Sequence, residues 1–219
     1  MEKIKIITDT TVDLPSEVLE KYSIDAIPVL INFGEESYLD GIEITRDEVF
    51  QRIENGDTFP NTSQITPNRF VDIFNKYIGE GYKVLVVSMS SGMSGTYQSA
   101  CLAKNMIESD DIFIVDSQSI CSGLGVLVIR AAILREKGNS LEEIVKDLDN
   151  VKHKINSSLS FDSLDNLVKG GRVPKAVGVV TGILGIKLIL EIKDGVMAVK
   201  DRVRGSKKAV KRILGDLIA

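Results

Sequence analysis

Apolar runs alternate with stretches of helical period over the first two thirds of the chain. Ile4-Lys5-Ile6-Ile7 reads as a short strand ending at Thr8-Asp9-Thr10-Thr11. Pro15 suits the first turn of a following helix, where its missing N–H costs nothing. Ala26 to Ile31 reads as the next strand. Thr45-Arg46-Asp47-Glu48 has capping-box spacing, which predicts a helix to about Glu54, ended by Asn55-Gly56-Asp57. Thr62-Ser63-Gln64-Ile65-Thr66-Pro67 is a polar loop leading into a helix start at Thr66-Pro67. Phe70, Ile73, Phe74, Tyr77 and Ile78 then recur at the 3-4 spacing of one buried helix face. A strand is expected at 83–88, a helix to about Ile107, and a strand from Ile112 to Val115. A helix follows from about Cys121 to Lys137, and Ser140-Leu141-Glu142-Glu143 caps another.

Strands alternating with helices, and apolar nearly throughout, imply a parallel sheet covered on both faces. Ligands of such sheets bind outside the carboxyl ends of the strands. Thr8-Asp9-Thr10, Ser88 to Thr96 and Asp116-Ser117 all fall at those ends. After about residue 152 the texture changes. Ile155 to Phe161, Ile186 to Ile192 and Val196 to Val203 read as strands, the last two joined by a hairpin turn at Asp194-Gly195. The expected fold class is α/β: a parallel-sheet N-terminal domain, residues 1–152, then a smaller, partly antiparallel α/β second domain, residues 153–219.

Composition narrows the picture. The 219 residues are 43% hydrophobic and 26% charged, ordinary for a soluble globular protein. No apolar run approaches a membrane span, and MEKIKIITDT enters a strand pattern without a signal peptide's hydrophobic region, so a cytoplasmic protein is expected. Cys101 and Cys121 are expected as buried thiols rather than a disulfide. The single histidine, His153, has no cysteine at zinc-site spacing, so no metal is expected. Charge is uneven. Seven cations against Asp201 and Asp216 give residues 200–219 a balance of +5, which leaves about -9 on the rest of a chain whose net charge is -4. That asymmetry suggests a local anionic partner, while the acidic bulk argues against general nucleic-acid binding.

The stretch Ser90-Ser91-Gly92-Met93-Ser94-Gly95-Thr96-Tyr97-Gln98-Ser99-Ala100 holds the densest chemistry. Gly92-Met93-Ser94-Gly95-Thr96 departs from the nucleophile elbow at its last position, and a serine nucleophile needs a base that a lone histidine does not obviously supply. A serine–lysine hydrolase or acyltransferase using Ser94 is the alternative. Gly123-Leu124-Gly125-Val126-Leu127-Val128 lacks the third glycine of a dinucleotide fingerprint, and there is no P-loop. A serine- and glycine-rich turn opening a helix offers backbone N–H groups, hydroxyls and the positive end of the helix dipole to a carboxylate or phosphate. Ser94 as a plain helix cap is compatible with that role, and both remain open. Arg172, in Lys169-Gly170-Gly171-Arg172, either forks onto an anion or is simply a cation beside a helix end. From Gly205 onward Ala209, Val210, Ile213, Leu214, Leu217 and Ile218 mark one side of an amphipathic helix.

Taken together, several stretches resemble the DegV family of bacterial lipid-binding proteins. They are Thr8 to Pro15, Thr62-Ser63-Gln64, the serine- and glycine-rich stretch, Val115-Asp116-Ser117, Leu167 to Arg172, and Arg202-Val203-Arg204-Gly205-Ser206-Lys207-Lys208-Ala209. The resemblance implies two α/β domains enclosing a long-chain fatty acid, its carboxylate at their interface and its tail in an apolar tunnel. It implies a non-enzymatic, acyl-carrying subunit that presents the carboxylate to an ATP-dependent fatty acid kinase subunit. The bound fatty acid is then a ligand, and no cofactor is implied. Carried over by motif, Thr62, Ser63 and Ser94 would hold the carboxylate, with the N–H of Gly95 assisting and Arg172 near the head group or the kinase. Arg202 and Arg204 would dock the kinase, although Ser206 stands where members often carry a basic residue. Family members usually run further at the C-terminus, so the second domain is expected to be incomplete relative to them.

Overall fold

A computed structural model describes residues 2–161, 163–173 and 185–218. In chain order the first elements are β1 (Ile4–Asp9), α1 (Ser16–Lys21), β2 (Ile24–Ile27), β3 (Leu30–Phe33), β4 (Glu36–Leu39), α2 (Arg46–Glu54) and β5 (Asn61–Ser63). Then come α3 (Pro67–Gly79), β6 (Lys83–Ser88), α4 (Thr96–Ile107), β7 (Ile112–Asp116), α5 (Cys121–Glu136) and α6 (Leu141–Val151). The remainder is β8 (Ser158–Phe161), α7 (Asp165–Lys169), β9 (Ile186–Lys193), β10 (Val196–Arg204) and α8 (Ser206–Ile218). The chain divides into two units, Met1–Ile155 and Asn156–Ala219.

The first unit is built on a parallel sheet in the order β2-β1-β6-β7. Its register lines up Ile6 with Leu85 and Leu85 with Phe113, and on the next row Ile7 with Val86 and Val86 with Ile114. Because side chains alternate across a strand, these rows face opposite sides. Ile6, Leu85, Val87 and Val115 pack with Leu124, Leu127, Val128, Ile144 and Leu148 of α5 and α6. Ile7, Val84, Val86 and Ile112 pack with Phe70, Phe74 and Tyr77 of α3 and Ala100 and Ala103 of α4. Two apolar layers on one sheet explain why its strands read as near-continuous runs. Both expected capping boxes form, Thr45 with Glu48 and Ser140 with Glu143.

Three local expectations are corrected. Ala26 to Ile31 is not one strand: β2 ends at Ile27 and β3 begins at Leu30, in a different sheet. Pro28 lies between them, and a residue without an N–H cannot continue a ladder. The polar loop at 61–63 is a strand. β5 pairs with β3, which also pairs with β4, so a small antiparallel sheet is inserted between β2 and α3. All three β5 residues are exposed and polar, so hydrophobic alternation could not announce the strand. Cys101 and Cys121 are free thiols, but half-buried rather than buried.

The second unit carries an antiparallel sheet in the order β10-β9-β8. Asp194 (φ 50°) and Gly195 (φ 78°) make its hairpin turn, and two successive positive φ values match strand twist. Its core is smaller: Leu164, Val173, Leu188 and Leu190, with Phe161, Leu167, Val168, Met197 and Val199 against them. On α8, Ala209 is buried, whereas Val210 and Leu214 are exposed. The side chains of Leu217 and Ile218 lie outside the description. Among the described residues no helix is long and apolar enough to cross a membrane.

Candidate functional site

Parallel pairing puts the carboxyl ends of β1, β6 and β7 side by side, since Ser88 pairs with Asp116 and Ile7 with Val86. Polar groups crowd there. Thr8, Asp9, Ser88, Ser90, Thr96, Ser99, Ser117 and Ser119 are all buried. Thr8 Oγ1 donates to Val87 O at 2.9 Å, and Ser117 N to Ser88 O at 3.1 Å, so the strand ends are stitched together.

From this edge the chain leaves β6 through Met89–Gly95 and enters α4. Every amide from Met89 to Ser94 has an acceptor. Met89 N donates to Asp9 Oδ2 at 2.9 Å, Ser90 N to Ser119 O at 2.9 Å, and Ser91 N to Asp116 Oδ1 at 3.1 Å. Gly92 N reaches Ser90 Oγ at 3.2 Å, while Met93 N and Ser94 N reach Ser90 O at 3.1 and 3.2 Å. The N–H of Gly95 has no partner among the described residues. No side chain caps α4 in the usual N-cap position. Ser94 Oγ accepts from Thr96 N at 3.2 Å and lies 3.0 Å from Thr96 Oγ1. So Ser94 does perform a capping-like turn, and either hydroxyl of the Ser94–Thr96 pair can be the donor between them. The open donors at Gly95 and in the first turn of α4 coincide with the positive end of the helix dipole, where an anion is favoured.

Gln64 brings the second loop to this point. Its Oε1 occupies the space a side chain at position 95 would need: a Cβ built on Gly95 would sit 1.8 Å from it. Gln64 Nε2 donates to Ser99 Oγ at 3.2 Å, and Ile65 N to Thr96 Oγ1 at 3.4 Å. Of the expected site residues, Ser94 and Gly95 therefore share one turn, and Thr62 lies two residues ahead of the Gln64 contact. The Thr62 hydroxyl is exposed and carries no hydrogen bond among the described residues. Ser63 is placed differently. Its Oγ accepts from Asn32 Nδ2 at 2.9 Å beside Asn61, which puts Ser63 on the opposite face of β5 from Thr62.

Burial sets the electrostatics. It raises the Asp9 carboxyl above its ordinary range, overcoming the opposing hydrogen bonds from Met89 N and from the Thr11 amide and hydroxyl. Burial, then Asp13 and Asp9, push the Cys121 thiol up, so it is a poor thiolate. Burial, followed by Cys101, pushes Tyr97 in the first turn of α4 up to about 12. No histidine or lysine is hydrogen-bonded to Ser94 among the described residues. No group of three or more His, Cys, Asp or Glu among them could hold a metal ion.

In the second unit, Arg172 follows α7, and Gly171 takes the positive φ (74°) foreseen for this turn. Arg172 Nη1 donates to Gly170 O at 2.6 Å. Arg202 and Arg204 are both exposed, two residues apart on β10 and therefore on one face, and neither guanidinium has an ion-pair partner among the described residues.

The family model described as uncharacterised protein, DegV family, matches residues 3–218. The chain belongs to the DegV family. A DegV domain-containing protein of Clostridium perfringens is 52% identical over 98% of this chain and 77% of its own length. The fatty-acid-binding DegV family protein of Thermus thermophilus is 33% identical, with a TM-score of 0.90 over 98% of this chain and 76% of that one. A stearic-acid-binding protein of Eubacterium ventriosum is 29% identical, with a TM-score of 0.88 over 99% of this chain and 75% of that one. This DegV chain thus spans about three quarters of the length of these relatives, and the α/β expectation holds.

Gln64, Thr96 and Ser99 also meet at this turn, with Asp9 and Asp116 behind them, beyond the residues expected to hold the anion. Gln64 was visible as the third residue of Thr62-Ser63-Gln64, and the aspartates as polar residues ending apolar strands. Their contacts were not visible, because they join positions far apart in the chain.

Proposed function

We propose that this DegV-family chain is a non-enzymatic carrier of a long-chain fatty acid. The acyl carboxylate sits at the N-terminus of α4, bonded by the Ser94 and Thr62 hydroxyls and the N–H of Gly95. The observation that carries the reading is that every loop amide from Met89 to Ser94 has an acceptor, while among the described residues the amides of Gly95, Tyr97 and Gln98 have none. Those donors hold an anion without performing chemistry on it. The fatty acids bound by the relatives of Thermus thermophilus and Eubacterium ventriosum support a fatty acid as that anion. An apolar tunnel takes the tail and supplies most of the affinity, at roughly 0.8 kcal/mol per buried CH₂ before ordering costs. Arg202 and Arg204, exposed and without an ion pair among the described residues, present the carrier to an ATP-dependent fatty acid kinase subunit, which phosphorylates the carboxylate. Arg172 assists near the head group or the kinase. A serine hydrolase is disfavoured by the partners of Ser94, which are Thr96 N and Thr96 Oγ1 rather than a base.

Protein purified from bacteria is expected to release an acyl mass in native mass spectrometry, and to lose it on delipidation. Absence of any acyl mass, with no uptake of added fatty acid, overturns the reading. Ser94→Ala is expected to weaken fatty-acid binding about tenfold, the scale of one hydrogen bond to a charged group. A serine-directed covalent probe that labels the protein but not Ser94→Ala would favour the hydrolase instead.

A further inference from the structure

β6 lies between β1 and β7, and its exit loop is gripped from both sides by the last residue of each neighbour. Asp9 ends β1 and Asp116 ends β7. Asp9 Oδ2 takes the Met89 amide at 2.9 Å, while its Oδ1 takes the Thr11 amide at 3.2 Å and the Thr11 hydroxyl. Asp116 takes the Ser91 amide at 3.1 Å and the Ser91 hydroxyl at 2.5 Å, and also the Gln118 amide at 3.0 Å. A carboxylate has acceptor capacity on both oxygens and no proton to donate, so it can bind donors from two chain segments at once. Each aspartate does so here: one oxygen or both on the loop, the rest on the chain beyond its own strand. Strand ends are rigid, so the loop inherits their position.

We propose that Asp9 and Asp116 are positioning residues for the anion cradle. They fix Met89–Ser91, and with it the turn that aims Ser94 and the Gly95 amide. This rests on the fatty-acid reading for its ligand, but the clamp itself is a property of the ligand-free protein. Two features fit the assignment. Asp9 is 2% exposed and keeps three donors on its two oxygens although burial disfavours its charge. The Met89 and Ser91 amides are satisfied only while the two carboxylates accept, and the Ser90 turn that holds the next three amides lies between them. The titratable groups beside Asp9 are Asp13, beyond the 3-10 turn at Thr10–Val12, and Cys121 at the start of α5. The Cys121 thiol feels the charges of Asp13 and Asp9, and neither Asp13 nor Cys121 is a cation. Tyr97 on α4 faces Asp116.

The sign of the pH effect separates loop release from unfolding. A carboxyl raised in the folded state contributes stability below its unfolded value, and loses that contribution as pH rises through the folded value. Acidification therefore favours the fold at Asp9 while converting one acceptor oxygen to a donor, which weakens its hold on the loop.

The test is amide hydrogen exchange on the full ligand-free chain, beside binding of cis-parinaric acid. In Asp9→Asn, whose amide keeps a single acceptor oxygen, exchange at Met89 is expected to rise at least tenfold while Val84–Val87 stay protected. In Asp116→Asn the rise is expected at Ser91. Each variant is expected to bind the probe about tenfold more weakly. In the unsubstituted protein, exchange at Met89, corrected for intrinsic rates, is expected to rise on acidification, and the rise is expected to be absent in Asp9→Asn. Unchanged exchange in both variants overturns the clamp. Faster exchange with unchanged probe affinity overturns positioning. If Asp9→Asn does not fold, Asp116→Asn and the pH profile of the unsubstituted protein decide the matter. Failure of the unsubstituted protein to bind the probe sinks the fatty-acid reading and leaves the exchange result to judge the clamp alone.

Discussion

The loop at 89–95 and the basic stretch at 200–216 both stand out in the sequence, and they are built by opposite means. In the loop, two carboxylates accept hydrogen bonds from backbone, and one of them, Asp9, is buried. In the basic stretch, charges meet charges at the surface. Arg212 pairs with Asp201 and Asp216, and Lys200 lies 3.4 Å from Glu191 and 3.1 Å from Asp216. Buried acceptors define positions, because an unmet hydrogen bond away from water is expensive. Exposed ion pairs define little, because water and salt compete for each partner. What the surface pairs do is sort the cations. Among the described residues Lys200 and Arg212 are occupied, while Arg202, Arg204, Lys207, Lys208 and Lys211 form no ion pair, so the local +5 of the sequence overstates the uniformity of the patch.

The contrast can be broken at several levels. The largest effect is expected at the strand that feeds the loop. Leu85 of β6 is fully buried, and Leu85→Ala is expected to lower unfolding stability by about 2–5 kcal/mol in chemical denaturation. A loss below about 1 kcal/mol would mean that the sheet does not anchor the loop as described.

A smaller effect is expected where the two loops meet. Gly95→Ala forces Gln64 away and breaks its bond to Ser99, at a cost of about 1 kcal/mol, because a flexible side chain can move. In the Gln64→Ala background the same substitution is expected to cost almost nothing. Thermal unfolding of the four proteins in this cycle measures the coupling, and additivity would refute the contact.

The smallest effect belongs to the basic stretch. Arg212→Ala is expected to leave the unfolding midpoint unchanged within error at both low and high salt. A clear loss that salt abolishes would make the surface pairs more important than this comparison allows.

Much of the first unit is legible in the chain, for identifiable reasons. Ile4–Ile7, Val84–Val87 and Ile112–Val115 are apolar on both faces because helices cover both faces. Thr45 and Ser140 announce helix starts because their caps are local, three residues from their partners. The inserted sheet was hidden. β5 is held by pairing with β3 and by a side-chain ladder through Asn32, so its polar sequence resembles a loop. The same ladder separates Ser63 from Thr62, a distinction no reading of two adjacent hydroxyl residues could make.

By itself the sequence determined the α/β class, the placing of polar residues at strand ends, and the turn from which a helix would rise. Those follow from local periodicity and capping, which act over a few residues. Only the tertiary structure decided which donors of that turn stay open. The acceptor of Met89 is a carboxylate 80 positions away, that of Ser91 is 25 away, and Gln64 reaches Ser99 across 35. Such bonds form when a parallel sheet sets its strand ends edge to edge, and that juxtaposition is the work of burial across the whole first unit rather than of any short stretch.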